Sequence, residues 1–286
     1  MKKFHRSLLG LSILCLAPCI ALAQAPPKVL LITREYVKPG KTGELHEKAE
    51  SAFVQAMAKA KAPTNYLAMT SLSGKSRALF FTFYDSFDAW EKDVTATAKN
   101  AALSAALEKA GVADGELLDS LDQGVFVYQD EFSLRPKYTD PKRRALEINR
   151  YHVKPGHYEE WAELVKLVRN AFEKSVPEAH WACYRLRYGG SGGTYLFLTG
   201  MRSASEIDAS FAGDKQFETA MGEHGLRRLG ELESAAVESS GHELFIYNAK
   251  MSYPPDEYIK ADPDFWQPKS EVTTKTAAAK NEKPQH

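Results

Sequence analysis

The chain repeats itself, and this constrains its fold more than any other feature. Ile32-Thr33-Arg34-Glu35-Tyr36-Val37-Lys38-Pro39-Gly40 is matched by Ile148-Asn149-Arg150-Tyr151-His152-Val153-Lys154-Pro155-Gly156. Isoleucine, arginine, valine and the Lys-Pro-Gly turn recur at one spacing, offset by 116 residues. Later, Val125-Phe126-Val127-Tyr128 is matched by Leu244-Phe245-Ile246-Tyr247 at an offset of 119, each followed by a carboxamide, Gln129 or Asn248. Two matches in the same order at nearly equal offsets imply a duplicated unit of about 110 residues, an ordinary domain size.

Periodicity gives the order of elements within a unit. Val29 to Val37 is β-branched and apolar, a strand, and Pro39-Gly40 supplies the turn after it. Residues 41–62 carry Leu45, Ala49, Phe53, Ala56, Met57 and Ala60 at helical spacing, and Pro63 ends the helix. Tyr66 to Leu72 and Ala78 to Tyr84 read as strands joined by the turn Ser73-Gly74-Lys75-Ser76. Residues 86–122 read as helix in two pieces, and Val125 to Leu134 as the last strand. In the second half, Tyr158, Trp161, Leu164, Val165, Val168 and Phe172 stripe the first helix. Trp181 to Tyr188 and Tyr195 to Thr199 are the paired strands, residues 204–239 are mostly helical, and Glu243 to Tyr253 closes the unit. Each half is βαββαβ, a ferredoxin-like unit: one four-stranded antiparallel sheet with both helices on one face. The bare face needs a cover, and a second copy supplies it. The expected fold is therefore α+β, with the two sheets packed face to face.

The ends carry other information. Lys2, Lys3 and Arg6 precede an apolar run from Leu8 to Leu22 and a small-x-small site, Ala21-Leu22-Ala23, the layout of a secretory signal peptide. Cys19 after Leu16-Ala17-Pro18 loosely resembles a lipoprotein site, but Pro18 stands where a small residue belongs. Cleavage after Ala23 leaves 34 basic against 37 acidic residues and one cysteine, Cys183. An intramolecular disulfide is then excluded, and the core must supply the stability. The absence of a basic excess gives no support to nucleic-acid binding. The expected organisation is a signal peptide at 1–23, repeats at 27–137 and 143–254, and a flexible tail at 255–286, on which Tyr258, Phe265 and Trp266 are the residues able to dock. The mature chain is expected in the periplasm or medium, off the membrane, as a monomer containing both halves of a barrel.

Glu147-Ile148-Asn149-Arg150-Tyr151-His152-Val153-Lys154-Pro155-Gly156, in this element order, resembles the first strand and turn of NIPSNAP-type and antibiotic-biosynthesis-monooxygenase-type domains of the dimeric α/β-barrel superfamily. The match at residue level is about ten positions long. The NIPSNAP pattern has arginine where Asn149 stands, and Leu31, Thr33 and Glu35 depart from it in the first half. The resemblance implies a barrel that holds a small hydrophobic or aromatic molecule, with a cofactor-independent monooxygenase-like activity. It favours Glu147, Asn149 and Tyr151 as the barrel-facing set. The opposite parity holds Ile148, Arg150 and His152.

On this reading the base candidates are His152, His180 and Tyr151. The ligand-binding candidates are Arg34, Arg150, Asn149, Glu147, Trp181, Tyr184, Tyr247 and Asn248. The bland alternatives are arginines snorkelling at a sheet edge, hydrogen-bonded tyrosines packed in a core, and a buried inert Cys183. No metal-ligand spacing such as H-E-x-x-H is present, so neither a metal nor a cofactor is expected. Gly189-Gly190-Ser191-Gly192-Gly193 satisfies G-x-S-x-G, but a strand follows where a nucleophile elbow needs a helix, so it reads as a hairpin loop. The competing class is a non-catalytic binding or structural module whose barrel is filled by its own side chains.

Overall fold

The structure, a computed structural model, describes residues 26–137 and 139–267. The signal peptide expected at 1–23 and the last part of the tail lie outside them. The first half contains β1 (Val29–Val37), α1 (Glu44–Ala60), β2 (Tyr66–Ser71), β3 (Arg77–Tyr84), α2 (Phe87–Lys99), α3 (Ala101–Gly115) and β4 (Leu118–Tyr128). The second contains β5 (Ala145–Val153), α4 (Tyr158–Ser175), β6 (Ala182–Tyr188), β7 (Thr194–Met201), α5 (Ser205–Ala236) and β8 (Val237–Tyr247), followed by the short α6 (Asp256–Ala261) and α7 (Pro263–Trp266).

Eight strands form one closed barrel in the order β1-β3-β2-β8-β5-β7-β6-β4. Each half contributes its strands in the ferredoxin-like order: β4-β1-β3-β2, then β8-β5-β7-β6. The sheets do not merely face each other, as expected from sequence. They join edge to edge at two antiparallel seams, β2 with β8 and β4 with β6, so the edge strands find partners. The loop at 189–193 is the hairpin between β6 and β7.

Two strand boundaries differ from expectation. β4 begins at Leu118 and β8 at Val237, well before their apolar cores, and both end earlier than predicted. The polar stretches Asp119–Gln123 and Glu238–His242 pair with β1 and β5 although most of their side chains face solvent. Ladder pairing with a neighbouring strand, rather than side-chain burial, keeps them extended.

Parity sorts the side chains into layers. Leu30, Ile32, Leu67, Met69, Leu79, Phe81, Phe126, Leu146, Ile148, Leu186, Leu196, Leu198 and Phe245 fill the barrel as one apolar cluster. Burial of each such side chain contributes about 1.5–3 kcal/mol. On the outside, α4 and α5 cover the second half through Trp161, Leu164, Val165, Cys183, Tyr195 and Leu232. Residues 256–266, expected to be flexible, instead lie against one end of the barrel. Tyr258 and Trp266 are buried there and join the interior cluster. Aromatic rings dense enough to bury override the polar, proline-rich composition around them.

Candidate functional site

The barrel end beneath α6 and α7 gathers polar and aromatic groups. Arg143, just before β5, is buried and lies over the Tyr247 ring, 5.7 Å from its centre. Its guanidinium donates to Tyr258 Oη at 3.2 Å and, through Nε, to the Asp140 carbonyl at 3.0 Å. Burial pushes the Tyr247 and Tyr258 phenols up, against the pull of the Arg143 charge, so both keep their protons at neutral pH. Phe81, His180, Tyr184 and Tyr247 surround a void of about 30 Å³, room for a water molecule or two.

Of the residues singled out in the sequence, this end brings together His180, Tyr184 and Tyr247. His180 holds Nδ1 2.8 Å from the Glu178 carbonyl and Nε2 3.1 Å from the Gly200 carbonyl. Tyr184 donates to the Pro27 carbonyl at 3.1 Å and packs on Tyr128.

The others are elsewhere. Glu147, Asn149 and Tyr151 do not face the barrel, contrary to what the family resemblance favoured. Tyr151 packs on Trp161 and Phe197 in the helix-covered layer, and Asn149 bonds Glu147 and His242 on the same side. The apolar residues decide the parity: Leu146 and Ile148 are the ones that fill the barrel. Arg34 and Arg150 sit past these apolar layers, towards the opposite mouth. Arg34 pairs with Asp122, and Arg150 is exposed. His152 contacts Thr194 Oγ1 at 3.2 Å and Glu238 at 3.2 Å. Trp181 lies outside the barrel against Phe172 and donates to the Phe132 carbonyl. Asn248 donates to Glu47 and caps the turn Ala249–Met251. Strand alternation keeps Asn149 with Tyr151 on the helix side and Arg150 with His152 on the other face, and neither pair lies at the end that holds His180.

A group that sequence reasoning missed lies under the helices of the first half. Glu35 of β1, His46 and Glu50 of α1, and Asp114 in the last turn of α3 are all buried. One ligand atom from each lies within 4.8 Å of all the others. His46 Nε2 is 3.0 Å from Glu35 Oε2 and 3.3 Å from Asp114 Oδ1. Glu50 Oε1 and the nearby Tyr66 hydroxyl are buried without a hydrogen-bond partner. Burial raises the Glu50 carboxyl to about 9, helped by the negative charges of Glu35 and Asp114. Burial also raises Glu35, against its bond to His46. Desolvation opposes a charge on His46, but its bonds to Asp114 and Glu35 outweigh this and lift it to about 9. These are the residues of the described chain placed to hold a metal ion.

The available signal was one of register. The sequence stripe began at Leu45, which is half exposed. The buried face of α1 runs His46, Glu50, Ala56, one position on at its start. Shifted by one, the stripe places two ionisable residues one turn apart on the core face.

Together these observations define an α+β protein of the dimeric α/β-barrel, ferredoxin-like type, with a closed eight-stranded barrel and both halves in one chain. No family model matches the sequence, and no curated protein does. Solved structures do match. A monooxygenase candidate from Fusobacterium nucleatum is similar over 78% of this chain and 94% of its own, at 13% identity and a TM-score of 0.52. A monooxygenase candidate from Lactobacillus acidophilus covers 77% and 94% at 8% identity and a TM-score of 0.46. A chlorite dismutase candidate covers 78% and 96% at 10% identity and a TM-score of 0.45. At these identities the likeness is one of fold. Among the described residues no helix is long and apolar enough to cross a membrane.

Proposed function

We propose that the chain is an exported, internally duplicated barrel protein that takes a small hydrophobic or aromatic molecule at the barrel end closed by α6 and α7. The observation that carries this reading is the convergence of Arg143, His180, Tyr184 and Tyr247 on the residual void beneath Tyr258 and Trp266. The two closing rings occupy the place a flat aromatic ligand would take, beside a cation that favours π-faces and acidic or phenolic oxygens. Binding requires the closing segment to move, because the void itself admits only water.

A monooxygenase-like step fits this end less well than binding does. Of the base candidates only His180 is here, and each of its ring nitrogens is already within hydrogen-bonding distance of a backbone carbonyl rather than facing open space. The filled interior favours the second reading, a structural module whose barrel is simply its core.

Native mass spectrometry of the exported protein, with thermal-shift titration by phenols, quinones and aromatic carboxylates, separates the two. Stabilisation of the wild type, larger in Trp266→Ala, supports the binding site. No ligand carried through purification, and no shift in either form, leaves the structural module. The intact mass tests export: the mature chain begins at Gln24, and an unprocessed mass refutes cleavage there.

A further inference from the structure

We infer that the layer between α1, α3 and the first-half sheet is a metal site, in which Glu35, His46, Glu50 and Asp114 hold one divalent first-row transition ion of the Mn²⁺ or Fe²⁺ type. The inference is independent of the barrel-end reading, since the four residues face the helices and not the barrel.

Geometry is the first ground. Ligands about 2.1 Å from an ion stand about 3.0 Å apart at an octahedral edge and about 3.4 Å apart at a tetrahedral one. The two contacts of His46 Nε2, 3.0 Å to Glu35 and 3.3 Å to Asp114, have these lengths. All four donor atoms lie within 4.8 Å of one another, a span that opposite ligands of one ion also satisfy.

The second ground is one oxygen of Glu50. Its side chain is 3% exposed, belongs to this donor set, and has one oxygen with no hydrogen-bond partner. Buried polar atoms in folded proteins are as a rule paired, because leaving one unpaired costs the full desolvation penalty, and here Asp114 Oδ1 of the same donor set has no hydrogen-bond partner either. A cation at the centre gives the Glu50 oxygen its missing partner.

The third ground is the other half of the same molecule. Glu35 pairs across the ladder with Ala78, and its counterpart Tyr151 pairs with Tyr195. In the second half this layer is filled by Tyr151, Trp161, Val165, Tyr195 and Leu232. The fold therefore closes this layer with apolar side chains where nothing else is asked of it. Four ionisable residues in the first half are costly there unless an ion compensates them, since replacing such groups by apolar ones is often stabilising. Ala78, fully buried and small, leaves the room that the Tyr195 ring takes on the other side.

Donor chemistry selects the ion. Three carboxylates suit oxygen-seeking cations, and one imidazole extends the preference from Mg²⁺ towards Mn²⁺ and Fe²⁺. The absence of a thiolate from the set disfavours Cu⁺. With all four ligands buried, the ion enters as the chain folds.

The test uses the mature chain, refolded with Mn²⁺, Fe²⁺ under nitrogen, Zn²⁺ or no metal, then desalted. Elemental analysis is expected to find close to one Mn or Fe per chain and a raised melting temperature. The pulsed EPR spectrum of the Mn²⁺ form is expected to show imidazole nitrogen coupling that His46→Gln abolishes. Glu50→Gln is expected to weaken Mn²⁺ retention at least tenfold, and the exposed Glu218→Gln to leave it unchanged. If either cluster variant fails to fold, the wild-type stoichiometry and nitrogen coupling still decide. A folded wild type that retains no metal, or whose bound Mn²⁺ shows no nitrogen coupling, overturns the inference and leaves a proton-sharing cluster. Folded Glu50→Gln with undiminished retention overturns it as well.

Discussion

Trp266→Ala tests whether residues 256–266 are a separable closure or part of the barrel's own core. The Trp266 ring is 3% exposed, packs edge-on against Tyr247 and Phe265, and donates from Nε1 to the Pro141 carbonyl at 2.8 Å. Removing a buried tryptophan costs about 3–5 kcal/mol where the surroundings stay in place. Here they need not. α6 has six residues and α7 four, too short to persist without tertiary contacts. The remaining anchors are Tyr258, the Arg144–Asp262 ion pair and the Arg144 guanidinium 3.9 Å from the Phe265 ring centre. Even the lower figure of about 3 kcal/mol raises the undocked population about 100-fold, at tenfold per 1.4 kcal/mol. Amide hydrogen exchange followed by mass spectrometry reads this directly. Protection in 255–267 is expected to fall about 100-fold while β3, β5 and β8 keep theirs, as for a local opening. Two results refute the reasoning. Unchanged exchange in 255–267 means the ring does not hold the segment. An equal rise throughout the barrel strands means the segment and barrel open as one unit.

Three further outcomes follow from single sites. Gly189→Ala is expected to destabilise the fold by about 3 kcal/mol in a denaturant titration, because its φ is +87° and an added Cβ would lie 2.1 Å from the Gln123 carbonyl oxygen at the β4–β6 seam. Asp140 loses some stability of its charge to burial, but its bonds from Arg202 and the Lys142 amide outweigh this and hold its carboxyl below the usual range. Its lowered folded-state value means the stabilisation is present above the ordinary carboxylate range and lost as pH falls through the folded value, so wild type is expected to exceed Asp140→Asn in melting temperature near pH 7 and to converge with it as acidification takes the pH below that folded value. Cys183 is fully buried and burial pushes its thiol up, so a thiol reagent is expected to label it only at the rate of unfolding, and rapid labelling of native protein would contradict that burial.

The architecture was legible because it is written locally. Strand and helix periods, the Lys-Pro-Gly turns and the hairpin glycines each occupy a few consecutive residues, and their recurrence gave the element order of both halves. Which strand face lines the barrel was not legible. Glu147-Ile148-Asn149-Arg150-Tyr151 alternates between two plausible inner sets, and only packing against α4 shows that Tyr151 goes outward. The buried cluster was invisible for a different reason. Its members lie at positions 35, 46, 50 and 114, on three elements. A glutamate and a histidine on an amphipathic helix read as its wet face until the helix is docked. No spacing rule joins a strand residue to a helix end almost eighty positions away.

The two halves share a topology but divide the physical work. The second half closes its helix–sheet layer with Trp161, Tyr195, Val165 and Leu232, the packing that gives a fold its stability. The first half gives up that packing at the same place, with Ala78 opposite Glu35 and ionisable side chains from α1 and α3. A single-copy unit that paired with itself would impose either layer twice, doubling the cost of the polar one or eliminating it. Having both halves in one chain lets each layer be set separately, and the continuous barrel, hydrogen-bonded across both seams, lets the apolar half support the polar one. On this argument, replacing Glu35, His46, Glu50 and Asp114 together by apolar residues of similar volume raises the melting temperature of the metal-free protein and abolishes metal retention. A fall in melting temperature without metal would mean that the cluster stabilises the fold by its own hydrogen bonds and needs no ion.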